Sequence, residues 1–168
     1  MTNEELSLFL DNYDPEETVF LSLSNKELVE LPIGIERFVH LESLDLSFNS
    51  LEQVPESIFK LKKLKSLFLY RNKITSIPTE ISRLNELETL DISFNKLETL
   101  PDELLKLDEL KLFDASFNHI TSMSPHLAYL PKLEKLYLEE NRFGEIPNEV
   151  LRGGLHALKY FFRHKIQE

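Results

Sequence analysis

The pattern Leu-x-x-Leu-x-Leu-x-x-Asn returns every 23 residues along most of the chain, and so constant a spacing leaves few folds open. Its anchors are Leu41, Leu44, Leu46 and Asn49, then Leu64, Leu67, Leu69 and Asn72, then Leu87, Leu90, Ile92 and Asn95. The series continues through Leu110, Phe113, Ala115 and Asn118 to Leu133, Leu136, Leu138 and Asn141. A unit this short cannot bury its apolar face alone, so the units must stack around one shared core. The expected fold class is an α/β solenoid.

Each unit opens with a short strand, since apolar residues separated by one, such as Leu44 and Leu46, point inward while Asp45 points out. The asparagine after it carries both a donor and an acceptor, which suits it to buried backbone groups of its own and the adjacent coil. Asn49, Asn72, Asn95, Asn118 and Asn141 are therefore expected as a structural ladder. A further apolar pair and a proline follow, as in Leu51, Val54 and Pro55 or Leu97, Leu100 and Pro101. Proline suits the start of a helical turn because it has no amide hydrogen to leave unpaired there. Apolar residues then recur every third position, as in Ile58, Leu61 and Leu64, which predicts an outer wall of brief helical or 3-10 segments.

With these units the chain resembles a leucine-rich repeat protein of the 23-residue class with LPxxIxxLxxLxxLxLxxNxL units, and short bacterial members in particular. The likeness spans about residues 18–163. It implies a right-handed superhelix with a concave parallel β-sheet, a convex side of short helical or 3-10 segments, and protein binding through the concave face.

The ends depart from the pattern. In the first unit, with Leu21, Leu23, Leu28, Leu31 and Pro32, Lys26 takes the asparagine place and Thr18 that of the first leucine, which predicts a degenerate edge coil. Thr2 and Glu5 have capping-box spacing before Leu6, Phe9, Leu10 and Tyr13, so residues 3–12 read as an amphipathic helix lying over that coil. At the other end Gly153-Gly154 precedes Leu155, Leu158 and Tyr160, read as a strand arriving one residue early with Arg163 at the asparagine place. The expected division is thus a capping helix in 1–17, a solenoid in 18–163 and a tail in 164–168, one domain in all. A poorly covered last coil there would admit a weak homodimer of an otherwise monomeric chain.

Among 168 residues there is no cysteine, so thiolate chemistry and disulfides are out of reach. The net charge of -10 argues against a nucleic-acid partner, the six bases Lys60, Lys62, Lys63, Lys65, Arg71 and Lys73 being too isolated to make a groove. No basic start with an apolar run and no stretch of membrane length occurs, so the expected location is cytoplasmic without membrane insertion, with export by a non-classical route left open.

Residues 23 apart should sit on adjacent strands about 4.8 Å apart, so the outward positions form rows. Glu42, Lys65, Glu88, Lys111 and Glu134 alternate in sign and predict internal support. Phe48, Phe94 and Phe117 recur beside the asparagines and are expected to stack along the edge, with Arg71 held between two rings. Phe68, Tyr70, Arg71, Asp91, Leu112, Asp114 and Tyr137 form the candidate protein-binding set, because exposed aromatic groups and arginine are what interface hot spots favour. Asp91 and Asp114 are neighbours with no base between them, a strain that a partner's lysine or arginine, or a cation, would relieve. Two such carboxylates also suit a retaining glycosidase, but the repeat period alone brings them together, and an open sheet encloses no sugar. His40, His119, His126, His156 and His164 lack ligand spacing, and four glycines make no phosphate loop. The reading is a non-catalytic interaction module needing no cofactor and binding a protein or peptide. The alternative is a regulatory subunit or scaffold that engages an enzyme through its edges or its exposed last coil.

Overall fold

A computed structural model describes residues 3–31 and 34–165. Helix α1 (Asn3–Leu10) leads into six three-residue strands: β1 (Phe20–Ser22), β2 (Ser43–Asp45), β3 (Ser66–Phe68), β4 (Thr89–Asp91), β5 (Leu112–Asp114) and β6 (Lys135–Tyr137). They form one parallel sheet in chain order, β1-β2-β3-β4-β5-β6. Every pairing joins residues 23 apart, as in Leu44 with Leu67 and Asp91 with Asp114. The chain crosses back behind the sheet between strands, through 3-10 segments at Ile35–Arg37, Glu56–Lys60, Thr79–Arg83, Asp102–Lys106 and Pro125–Tyr129. This is the solenoid that the repeat spacing requires.

The central residue of each strand points into the core: Leu21, Leu44, Leu67, Leu90, Phe113 and Leu136 are all buried. Pro55, Pro78 and Pro101 sit immediately before their 3-10 segments rather than inside them, in extended conformation. Their carbonyls accept the first turn's hydrogen bonds from Ile58, Ile81 and Leu104. Pro125, displaced by one place, lies instead in the first turn itself.

The asparagines bind the coils together. Asn95 Nδ2 donates to the carbonyls of Leu69, Ile92 and Ser93 at 3.0, 3.0 and 3.1 Å, while its Oδ1 accepts the Ile74 amide at 2.9 Å. Leu69 and Ile74 belong to the preceding coil, so one amide side chain closes its own turn and clamps the previous one. Asn49, Asn72, Asn118 and Asn141 repeat this arrangement. Because each asparagine reaches backward, the first coil has nothing for one to hold, which explains why Lys26 is tolerated there. Lys26 and Leu28 instead donate their amides to Asn49.

The residue before each ladder asparagine is left-handed: Phe48, Arg71, Phe94, Phe117 and Glu140 have φ of 55, 54, 54, 53 and 55°. For a side chain bearing a Cβ this conformation costs roughly 1–2 kcal/mol. In return, the amides of Phe48, Arg71, Phe94 and Phe117 donate to the next coil's carbonyls on Tyr70, Ser93, Ser116 and Glu139 at 2.9 to 3.0 Å.

The two ends differ from expectation to different degrees. Helix α1 is shorter than 3–12, but it inserts Leu6 and Leu10 into the core, with Phe9 and Tyr13 packed against it. Thr2, of the expected capping box, and Pro32 lie outside the described residues, as do Ile166, Gln167 and Glu168 of the expected tail. At the carboxyl end the expected strand through Leu155, Leu158 and Tyr160 is replaced by two helices, α2 (Asn148–Arg152) and α3 (Gly154–Lys165). Leu158 and Phe162, four apart, are buried by α3, which packs on β6 and on Pro125–Tyr129. The spacing of three between Leu155 and Leu158 fits a helix as well as a strand. Without an asparagine at position 163 a further coil has no clamp, and the basic last turn, Arg163 to Lys165, suits a helix end. The last coil is therefore covered, contrary to the poor cap expected.

Replacing Asn95 with alanine leaves the Ile74 amide buried without a partner and takes one of two donors from each of the Leu69, Ile92 and Ser93 carbonyls, which keep Asn72, Asn118 and the Arg71 amide, and is expected to lower unfolding free energy by about 2 kcal/mol or more. Asn141→Ala, at a half-buried rung, should cost distinctly less; urea denaturation of both variants checks the order.

Candidate functional site

The rows read from the repeat are contiguous on the sheet face. Asp45 lies opposite Phe68, Phe68 opposite Asp91, Asp91 opposite Asp114 and Asp114 opposite Tyr137. Leu112 belongs to the adjacent row, between Thr89 and Lys135. Phe68, Asp91, Leu112 and Asp114 are half-buried, and Tyr137 is exposed. Lys159, Phe161 and Phe162 do not continue these rows beyond β6, because they are part of α3.

Tyr70 and Arg71 follow β3 on the rim and join a second feature. The Tyr70 ring meets Phe48 edge-on at 4.6 Å, and Phe94 and Phe117 stack at 4.2 Å with their planes 8° apart. The Arg71 guanidinium lies 5.5 Å from the Phe48 ring centre and 4.9 Å from that of Phe94. The left-handed turn that lets each coil bond the next also projects these side chains outward, so an aromatic ridge with one embedded cation runs along the sheet's edge.

The two aspartates are less free than their position in the sequence suggests. Asp91 Oδ1 accepts the Ser93 amide at 3.0 Å and its hydroxyl at 2.7 Å; Asp114 Oδ1 accepts the same groups of Ser116 at 2.9 and 2.6 Å. Each is thus a local cap of the turn leaving its strand, an Asx-type role readable from the recurring Asp-x-Ser spacing. Asp45 does likewise for the Ser47 amide at 2.9 Å. One oxygen of Asp91 and of Asp114 is committed in this way, and among the described residues neither carboxylate forms an ion pair. Burial raises the Asp114 pKa above the ordinary 3.8, Asp91 and Glu139 add to that, and the Ser116 bonds oppose it.

The alternating charge row resolves into two bonded pairs, Lys65 with Glu42 at 2.9 Å and Lys111 with Glu88 at 2.6 Å. These contacts raise both lysine pKa values and lower that of Glu88. Lys63 with Glu86 and Lys132 with Glu109 form further pairs 23 apart, at 3.0 and 2.6 Å. Cations on this flank are thereby engaged within the chain. Phe20, on the edge strand, is exposed and shares the row of Ser43, Ser66 and Leu112; extending the 23-residue period back into the irregular first coil would have found it.

Among the described residues, no group of three or more histidine, aspartate, glutamate or cysteine side chains is placed to hold a metal ion. No helix among the described residues is long and apolar enough to cross a membrane. Cavities of about 710 and 520 Å³ lie at the carboxyl-terminal cap, lined by such residues as Val150, Tyr160 and Phe161 in one and Met123, Phe143 and Phe162 in the other, and not over the aspartate pair.

Residues 19–142 match the family model described as leucine-rich repeat region. A stretch of 61 residues is 41% identical to the leucine-rich repeat and calponin homology domain-containing protein 1 of Mus musculus, covering 36% of this chain and 9% of that protein. A leucine-rich repeat protein of Leptospira interrogans superposes with a TM-score of 0.77 at 31% identity, over 92% of this chain and 38% of the other. The leucine-rich repeat ectodomain of the plant receptor kinase GASSHO1/SCHENGEN3 from Arabidopsis thaliana, in complex with Casparian strip integrity factor 2, superposes with a TM-score of 0.68 at 34% identity, over 78% and 17% of the two chains. The chain therefore spans well under half the length of these relatives.

A carboxyl group whose pKa is raised on folding destabilises the fold once pH exceeds its unfolded value, and has no such effect in acid. Asp114→Asn keeps an oxygen for Ser116 and removes the half-buried charge. It should raise urea stability at about pH 7 and leave it unchanged near about pH 3. Lower stability at neutral pH would show that the carboxylate is well accommodated.

Proposed function

The chain belongs to the leucine-rich repeat family, and from that premise we propose that it is a non-catalytic recognition module whose concave sheet face binds an extended segment of a protein or peptide. The observation that carries this reading is the row Phe68, Asp91, Asp114 and Tyr137, continuous over four adjacent strands. It sets aromatic surface at both ends of two like-charged carboxylates that no described cation neutralises. A partner's lysine or arginine laid over Asp91 and Asp114 relieves their repulsion, and its apolar neighbours cover Phe68, Leu112 and Tyr137. Tyr70 and Arg71 extend the contact to the rim. The similar plant receptor ectodomain, itself seen in complex with another molecule, supports a binding role in general.

Catalysis finds no support in this geometry. The Asp91 and Asp114 carboxyls are tied to local serines, and an open sheet lacks the enclosure that excludes water and holds a reacting group. The competing reading, a scaffold engaging an enzyme, loses the exposed last coil on which half of it rested, since α3 covers that coil. Its other half, binding through an edge, draws on the exposed ridge of Phe48, Phe94 and Phe117.

Panning a displayed peptide library against the chain should enrich segments with lysine or arginine flanked by apolar residues. Asp91→Asn with Asp114→Asn should weaken a selected peptide by about tenfold at low ionic strength and flatten its salt dependence. Phe68→Ser with Tyr137→Ser should weaken it at all salt concentrations. Undiminished binding by both double variants removes the row from the site, and loss on Phe94→Ser or Phe117→Ser alone moves it to the ridge.

A further inference from the structure

The two caps of the coil stack carry complementary surfaces. On α1, Leu8 is 68% exposed, and its neighbours one turn before and after are Glu4, Glu5 and Asp11, the last paired with Arg37 at 2.8 Å. Residues 1–36 hold nine acids and one base, so this pole is strongly negative. On α3, Tyr160 is 65% exposed, and its neighbours one turn away include His156, Arg163 and His164. Residues 148–165 hold four bases, Arg152, Lys159, Arg163 and Lys165, against the single acid Glu149. The cavity of about 710 Å³ opens beside Tyr160, floored by Val150, Ala157 and Phe161. The Lys165–Glu145 pair on its wall, at 2.6 Å, and the Arg152–Glu140 pair, at 3.1 Å, cancel within the chain, which leaves Lys159 and Arg163 of this cap against Glu149. One end of the molecule thus presents an apolar knob flanked by Glu4 and Glu5, and the other an apolar recess beside the bases Lys159 and Arg163.

We propose that the chain associates with itself head to tail, the α1 cap of one copy seating Leu8 in the recess beside Tyr160 of the next. Charge selects this pairing over its alternatives, because α1 against α1 sets acid on acid and α3 against α3 sets base on base. A contact between two different surfaces does not close on itself, so copies add in series and the assembly grows with concentration. Each cap offers a small area, and much of the attraction is between exposed charges. The association is accordingly weak and is suppressed by salt. It leaves the sheet face of every copy open, and so is independent of what the concave row binds.

Sedimentation velocity over a range of concentrations tests this directly. At low ionic strength the average mass should rise past that of a dimer without a plateau, and fall to that of a monomer in high salt. Leu8→Glu and Tyr160→Glu, both at exposed positions, should keep the wild-type melting temperature, and each alone should be monomeric. Mixed in equal amounts they should form a dimer and nothing larger, because each retains the one cap its partner needs. If either substitution perturbs the fold, Arg163→Glu, also exposed, should weaken association by about tenfold. A wild-type chain that stays monomeric at about millimolar concentration, one that stops at a dimer, a single variant that still associates, or a mixture that does not, overturns the proposal.

Discussion

A strand of three residues cannot hold a fold by its own hydrogen bonds, and the constraint on which everything else rests is that each coil must be clamped to the one before it. The asparagine side chain does this because a single amide supplies donors and an acceptor on opposite sides. Asn72 donates to Leu46 and Leu69 and accepts from Leu51, tying residues 26, 3 and 21 positions away into one joint. The left-handed residue before each asparagine belongs to the same device. It turns the chain out of the strand and aims its own amide at the next coil. Residues as unsuited to that conformation as phenylalanine persist there because the intercoil bonds offset the strain.

Clamping at constant spacing fixes the register, and register is what produces a surface. Phe68, Asp91, Asp114 and Tyr137 are far apart along the chain and adjacent on the sheet. The buried positions between them repeat almost without change, since Leu67, Leu90, Phe113 and Leu136 must fill equivalent places in one core. The outward positions are under no such restriction, and they vary. Packing and the proposed recognition are thereby divided between alternate residues of the same short strands. The ridge of Phe48, Phe94 and Phe117 around Arg71 is a mixed case, aromatic surface exposed by the backbone turn that holds the stack together.

Much of this was legible in the residues because a period of 23 with asparagine at a fixed place leaves little freedom. The ladder, the row and the stacking of Arg71 between Phe48 and Phe94 all follow from superposing successive units. What failed to follow lies where the period fails. Leu155, Leu158 and Tyr160 satisfy the strand pattern loosely and a helix equally well. Arg163 at the asparagine place was the signal that no coil could be clamped there. The commitment of Asp91 and Asp114 to Ser93 and Ser116 is a local hydrogen-bonding effect, invisible to a reading made in columns. Phe20 escaped notice because the first coil lacks the asparagine that aligns the others.

The central claim is that adjacent coils are held in one fixed register, and paired cysteines test it in a chain that has none of its own. Neighbouring strands place Cα atoms about 4.8 Å apart, within the range of about 4.4–6.8 Å that a disulfide spans, whereas strands once removed lie about twice as far apart. Under mild oxidation, cysteines at 68 and 91, or at 91 and 114, should cross-link rapidly within one molecule, and cysteines at 68 and 114 should not. Equal rates for all three pairs, or faster linkage of the distant one, would contradict the register and with it the proposed recognition surface.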